Sequence, residues 1–221
     1  IFKSDLWGDL VNIENGNWVQ LYLNNPYLKS ENHANRIIKT MNNKNKNNSY
    51  FLLDSYFNYK IFFKILFYWI FIIYKFSRFR EFKNKLKLEK KIDLWPLLKH
   101  DLNHDFLGPQ AILKLYYFFI FKEFFKKNKF KSKCFYLFEN QPYEKSLIFF
   151  WKKYNKNKIY GVIHSTVRFW DLRFTKYINK KKNFNKVPYP DYLLSNGKIS
   201  RKNIIKLNHK NSSIISVEAL R

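Results

Sequence analysis

The chain has 221 residues, with 42 Lys and Arg against 16 Asp and Glu for a formal net charge of +26, and it is 46% hydrophobic and 21% aromatic. That much apolar surface excludes a disordered polycation despite the charge, while five glycines, six prolines and one cysteine exclude collagen-like and disulfide-stapled classes. At about 150 residues per domain, one large domain or one and a half is expected.

In chain order, residues 17–23, NWVQLYL, read as a short strand, and 29–42 as a polar helix running into the Asn/Lys-rich loop 42–48. Residues 50–54, YFLLD, are short and β-rich and read as a second strand. Residues 56–90 carry helical periodicity with growing charge. Pro96 and the Gly108-Pro109 pair predict irregular backbone around short helical pieces over 92–112. Pro109 suits the first turn of an apolar helix reaching about Lys127.

From there the pattern is that of a parallel sheet. CFYLF at 134–138 is a continuous apolar run, and Asn140, Gln141 and Pro142 open a helix to about Tyr154. IYGVI at 159–163, YLLS at 192–195 and IISV near the end read as further strands, with a helix from about Ser200 to Leu207. This alternation predicts an α/β, Rossmann-like, mostly parallel sheet with helices on both faces. The chain divides into an N-terminal α/β portion, 1–91, a connector and helix, 92–128, and a βαβ portion, 129–217. Starting at Ile1 and stopping at Arg221, it reads as a fragment.

The charge excess is nearly all Lys, spread along the chain and accompanied by much Asn, Ile, Phe and Tyr, all with A/T-rich codons. Genome composition accounts for it better than nucleic-acid readout, which favours clustered Arg. A positive surface still suits an anionic membrane leaflet or a phosphate-bearing substrate. Cys134 permits no internal disulfide, and its apolar setting reads as an inert thiol in a reducing compartment. Ile61 to Tyr74 is strongly apolar but short of about 20 residues and interrupted by Lys64. With Lys75, Arg78 and Arg80 behind it, a buried or interfacial helix is expected.

In open α/β sheets, ligands bind beyond the carboxyl ends of the strands. The residues there are polar: Glu139, Asn140 and Gln141; His164, Ser165 and Thr166; Ser195, Asn196 and Gly197. If the strands are neighbours, Glu139 and His164 become candidates for acid/base work or substrate hydrogen bonding. Against this, Glu139 and Glu144 beside a helix start also fit capping and the helix dipole, and Asn140 fits a cap. Arg168 and Arg173, around Trp170 and Asp171, read either as bidentate carboxylate or phosphate binders or as an ion pair with Asp171. His100 and His104 have i, i+4 spacing, but two histidines are too few for a metal site. No phosphate-binding loop, dinucleotide glycine motif or hydrolase elbow is present, and Ser165 beside His164 does not make a triad.

The segments YLFENQPYEKSLIFFWKKY, GVIHSTVRFWDLRF, VPYPDYLLSNG and SVEALR, in that order, resemble the bacterial surface-carbohydrate biosynthesis proteins of O-antigen and capsule loci. NWVQLYL, FLLDSY and LWPLLKHDLNHDFLGPQAI resemble their N-terminal half. Such proteins are similar to GT-B glycosyltransferases, whose N-terminal domain mainly holds acceptor and whose C-terminal domain mainly holds the nucleotide-sugar donor. The resemblance implies the N-terminal part of such an enzyme, with SVEALR, through 218–221, leading into its second domain. Catalysis would fall on His164 and Glu139, and substrate binding on Asn140, Gln141, Glu144, Ser165, Arg168, Asp171, Arg173 and Asn196. No cofactor is expected on this part, a nucleotide-sugar donor is expected for the whole protein, and the acceptor would be a glycan or lipid-linked glycan. A cytoplasmic location follows, with peripheral contact to an anionic membrane as its extension and nucleic acid disfavoured. A basic binding module, a nucleotide-sugar epimerase and an inactive partner of a transferase stay open as alternatives.

Overall fold

The computed structural model describes residues 7, 15–22, 28–45, 47–77, 87–88, 92–168, 171, 174, 187–207, 210 and 213–217. Near the N-terminus, β1 (Asn17–Gln20) and β2 (Ser49–Leu52) pair in parallel around α1 (Glu31–Lys44). Ser30 caps α1, its Oγ accepting from His33 N at 3.2 Å, and Ala34 and Ile38 bury the helix against Tyr50 and Leu52. The expected second strand thus stops at Leu52, and a 3-10 turn over Leu53–Tyr56 follows. That turn anchors the N-terminal unit. Asp54 Oδ2 accepts from Tyr22 N at 2.7 Å, its Oδ1 accepts from the Tyr116 hydroxyl, and Leu53 is fully buried.

The long helix expected over 56–90 is α2 (Tyr59–Ser77), and Lys87–Leu88 is instead β3, paired antiparallel with β4 (Ile92–Asp93). Helical periodicity cannot reveal where a run ends when no cap marks it. The irregular stretch expected over 92–112 is likewise corrected: α3 (Trp95–Phe106) is a regular helix, because Pro96 sits in its first turn, where proline costs no hydrogen bond. Gly108 makes the joint to α4 (Pro109–Lys127), since a Cβ there would lie 2.8 Å from His104 O.

The main sheet consists of β5 (Cys134–Leu137), β6 (Ile159–Ile163), β7 (Tyr192–Asn196) and β8 (Ile214–Val217), all parallel and adjacent in chain order. α5 (Pro142–Tyr154) and α6 (Lys198–Lys206) make two of its crossovers. The chain is therefore α/β with a Rossmann-like parallel sheet. Tyr136, Phe138, Ile159, Ile163, Leu193 and Ile214, all on one face by register, form the core with Phe124 and Phe125 of α4, Phe150 and Trp151 of α5, and Ile204 of α6. Each fully buried Phe contributes about 1.5–3 kcal/mol. The helices α4, α5 and α6 all contribute side chains to this core. On the opposite face Phe135, Tyr160 and Tyr192 form a stacked ladder with centroids 4.9 and 5.2 Å apart. Among the described residues, no helix is long and apolar enough to cross a membrane.

Candidate functional site

The site lies where β5 and β6 end. The register pairs Leu137 with Val162, and Phe138 N still donates to Val162 O at 2.8 Å beyond the strand. Two residues past the last pair, Glu139 and His164 face each other. His164 Nε2 lies 3.0 Å from Glu139 Oε1, with side chains 18% and 31% exposed, so the pair is shielded yet reachable. With Nε2–H donating to the carboxylate, a neutral imidazole carries its lone pair on Nδ1. Nδ1 is buried and has no hydrogen-bond partner among the described residues.

The backbone behind Glu139 is held by Glu144. The Glu144 side chain is fully buried, and its Oε1 accepts from Glu139 N at 2.8 Å and Gln141 N at 2.7 Å. Asn140 takes a left-handed φ of 62° to make this turn, which Asn tolerates better than most residues. Pro142 then opens α5. Burial raises the Glu144 carboxyl above the ordinary range, while the two backbone N–H bonds pull it back. Its Oε2 is buried without a hydrogen-bond partner among the described residues, as is the Tyr136 hydroxyl. The pair interacts electrostatically, and the phenols of Tyr143 and Tyr189 also feel the Glu144 charge. Glu144 is thus the clamp of the 139–141 turn, which corrects its expected role as a substrate-facing group.

The other expected residues divide. From β7, Asn196 Nδ2 donates to His164 O at 3.4 Å, and its Oδ1 is buried without a partner among the described residues. Ser195, fully buried in register with Ile163, leaves its Oγ in the same condition. Asn140 and Gln141 are exposed on the rim, and Ser165 is half-buried. After His164 the chain folds over the core through buried Val167 and Phe174, and α6 pins it, Asn203 Nδ2 donating to Val167 O at 2.8 Å. This presents Arg168 to solvent, its carbonyl accepting from Asp171 N at 3.1 Å. Arg173 and Trp170 lie outside the described residues, as do 218–221.

Tyr136 was not singled out by sequence, because a tyrosine within an apolar strand run reads as core. Its inward position in the strand alternation was the available signal. His100 and His104 stack with ring centroids 6.5 Å apart on the exposed side of α3, and among the described residues no three His, Cys, Asp or Glu side chains gather as a metal site would need. Cys134 is apolar-packed, its thiol pushed up to about 12 by burial, which disfavours thiolate chemistry.

The fold and site together define a class: a parallel α/β sheet with a carboxylate–imidazole pair at its carboxyl edge. Compared with known protein families, with curated proteins and with solved structures, the chain matches none.

Proposed function

We propose that this chain is the acceptor-binding part of a GT-B-type glycosyltransferase of bacterial surface-polysaccharide synthesis, acting on the cytoplasmic side on a glycan or lipid-linked glycan acceptor. The observation that carries the reading is the Glu139–His164 pair at the strand ends. The partly exposed imidazole of His164 takes the proton of an acceptor hydroxyl as that oxygen bonds to the anomeric carbon of the donor sugar. The bond from that carbon to the nucleotide phosphate breaks, and the nucleotide leaves with its electron pair. Glu139 orients the ring through Nε2–H and stabilises the imidazolium that forms, without taking the proton itself.

Around the pair, Asn196, Ser165, Asn140 and Gln141 offer hydrogen bonds to acceptor hydroxyls, while Arg168, with Asp171 and Arg173 on the same segment, receives an anionic group. The donor nucleotide sugar belongs to the rest of such an enzyme.

The test is His164→Ala in the full-length protein, assayed as nucleotide release from nucleotide sugars with and without lipid-linked acceptor. Loss of a positioned base lowers turnover by about 10²–10⁴-fold. Near-normal acceptor-dependent transfer by a folded variant rejects the assignment.

A further inference from the structure

Among the described residues, α2 packs along one line. Ile61 and Ile65 are buried against Phe119 of α4, and Trp69 Nε1 donates to Leu107 O at 3.2 Å. At 3.6 residues per turn, Tyr59, Phe63, Phe67, Ile70 and Tyr74 fall on the opposite side. They are turned to solvent: Tyr59 is 86% exposed, Phe63 64%, Phe67 66% and Ile70 57%. A contiguous apolar face of this kind is rare on a protein surface and marks an interaction site. Next to it, a groove of about 620 Å³ between α2 and α4, lined by Phe62, Leu66, Ile112 and Tyr116, continues the apolar surface.

Charge selects the occupant. α2 contains no acidic residue, and exposed Lys60 and Lys64 run along one edge of the apolar stripe. Lys75 completes that edge, its Nζ 5.4 Å over the Phe71 ring. A second copy would bring another chain of net charge +26 against the same lysines. An anionic surface with an apolar interior answers both the lysines and the aromatic rings, which settle at the boundary between headgroups and acyl chains. Since α2 does not qualify as a membrane-crossing helix, it would lie flat in that boundary.

We infer that the outer face of α2, Tyr59–Phe63–Phe67–Ile70–Tyr74 edged by Lys60, Lys64 and Lys75, docks the protein on an anionic phospholipid bilayer. The inference stands on this face and does not depend on the glycosyltransferase reading.

Co-sedimentation with vesicles of equal parts phosphatidylglycerol and phosphatidylcholine, without sugar donor or acceptor, tests it. The variant Phe63→Ser/Phe67→Ser/Ile70→Ser keeps every charge and alters only exposed side chains, so retained folding is checked by circular dichroism. Its partition coefficient falls by about 100-fold or more, as expected for removing three apolar side chains from a bilayer. What binding it keeps is abolished by high salt, whereas the unaltered protein retains part of its binding there. Lys60→Gln/Lys64→Gln weakens binding to the anionic vesicles and leaves binding to pure phosphatidylcholine unchanged.

Equal binding by the serine variant and the unaltered protein overturns the inference, because charge alone then holds the chain to the vesicle. So does a vesicle-independent dimer, seen by light scattering, that the serine variant dissolves. Neither result bears on transfer through His164.

Discussion

His164 stands directly across from Glu139, Nε2 to Oε1 at 3.0 Å, because the parallel register of β5 and β6 continues two residues beyond its last pair. The contact is a product of strand pairing, and its chemistry depends on the negative charge of the acceptor oxygen. A charge-assisted bond is roughly twice as strong as a neutral one.

Glu139→Gln keeps the size and an acceptor oxygen but removes that charge. Under the proposed mechanism, turnover falls by about 10–100-fold through loss of imidazolium stabilisation, while the unfolding midpoint changes little because the pair is partly exposed. Kinetics of the full-length protein, compared with its denaturant midpoint, check both halves. A large loss of stability with normal turnover would make the pair structural.

Glu144 shows the reverse pattern. Glu144→Ala leaves the N–H groups of Glu139 and Gln141 without their acceptor and costs about 2–4 kcal/mol. Glu144→Gln preserves the acceptor and costs within about 1 kcal/mol. Because the folded-state carboxyl is raised, the native protein holds this proton more tightly than the unfolded chain does. This group's contribution is therefore favourable at acid pH and is lost as pH rises from the ordinary carboxyl value through the raised one. Urea unfolding as a function of pH should show this dependence in the native protein and not in Glu144→Gln. An alanine variant as stable as the parent would rule out the clamp.

Gly161 lies between Tyr136 and Leu193 in register, and a Cβ there would sit 3.1 Å from Phe138 Cβ and 3.2 Å from Leu193 Cδ2. Neither neighbour can move away freely in the packed core. Gly161→Ala costs about 1–3 kcal/mol from overpacking, which for a chain of this size lowers Tm by about 2–4 °C per kcal/mol. Calorimetry decides it, and an unchanged Tm would mean that the core at β6 has room.

Much of the secondary structure was legible because its signals are local. Pro109 and Pro142 mark the first turns of α4 and α5, and the apolar runs at 159–163 and 214–217 are strands with those bounds. The two misreadings arose where a local signal has two meanings. Pro96 breaks a helix interior but starts a helix equally well, and the apolar periodicity after residue 56 carries no stop before Lys87–Leu88 turns into strand.

The site was legible as far as position along the chain allows: polar residues after strands, with Glu139 and His164 foremost. Sequence alone determined the α/β class, the residues at the strand ends and the cationic excess, because these depend on composition and on spacing along one dimension. Only the tertiary structure decided which carboxylate meets the histidine and which is sealed beneath the turn. Glu139 and Glu144 differ in burial, not in type. It also decided that α2 turns an aromatic face to solvent, since a periodic apolar stripe records that a helix has faces and not what lies opposite each one.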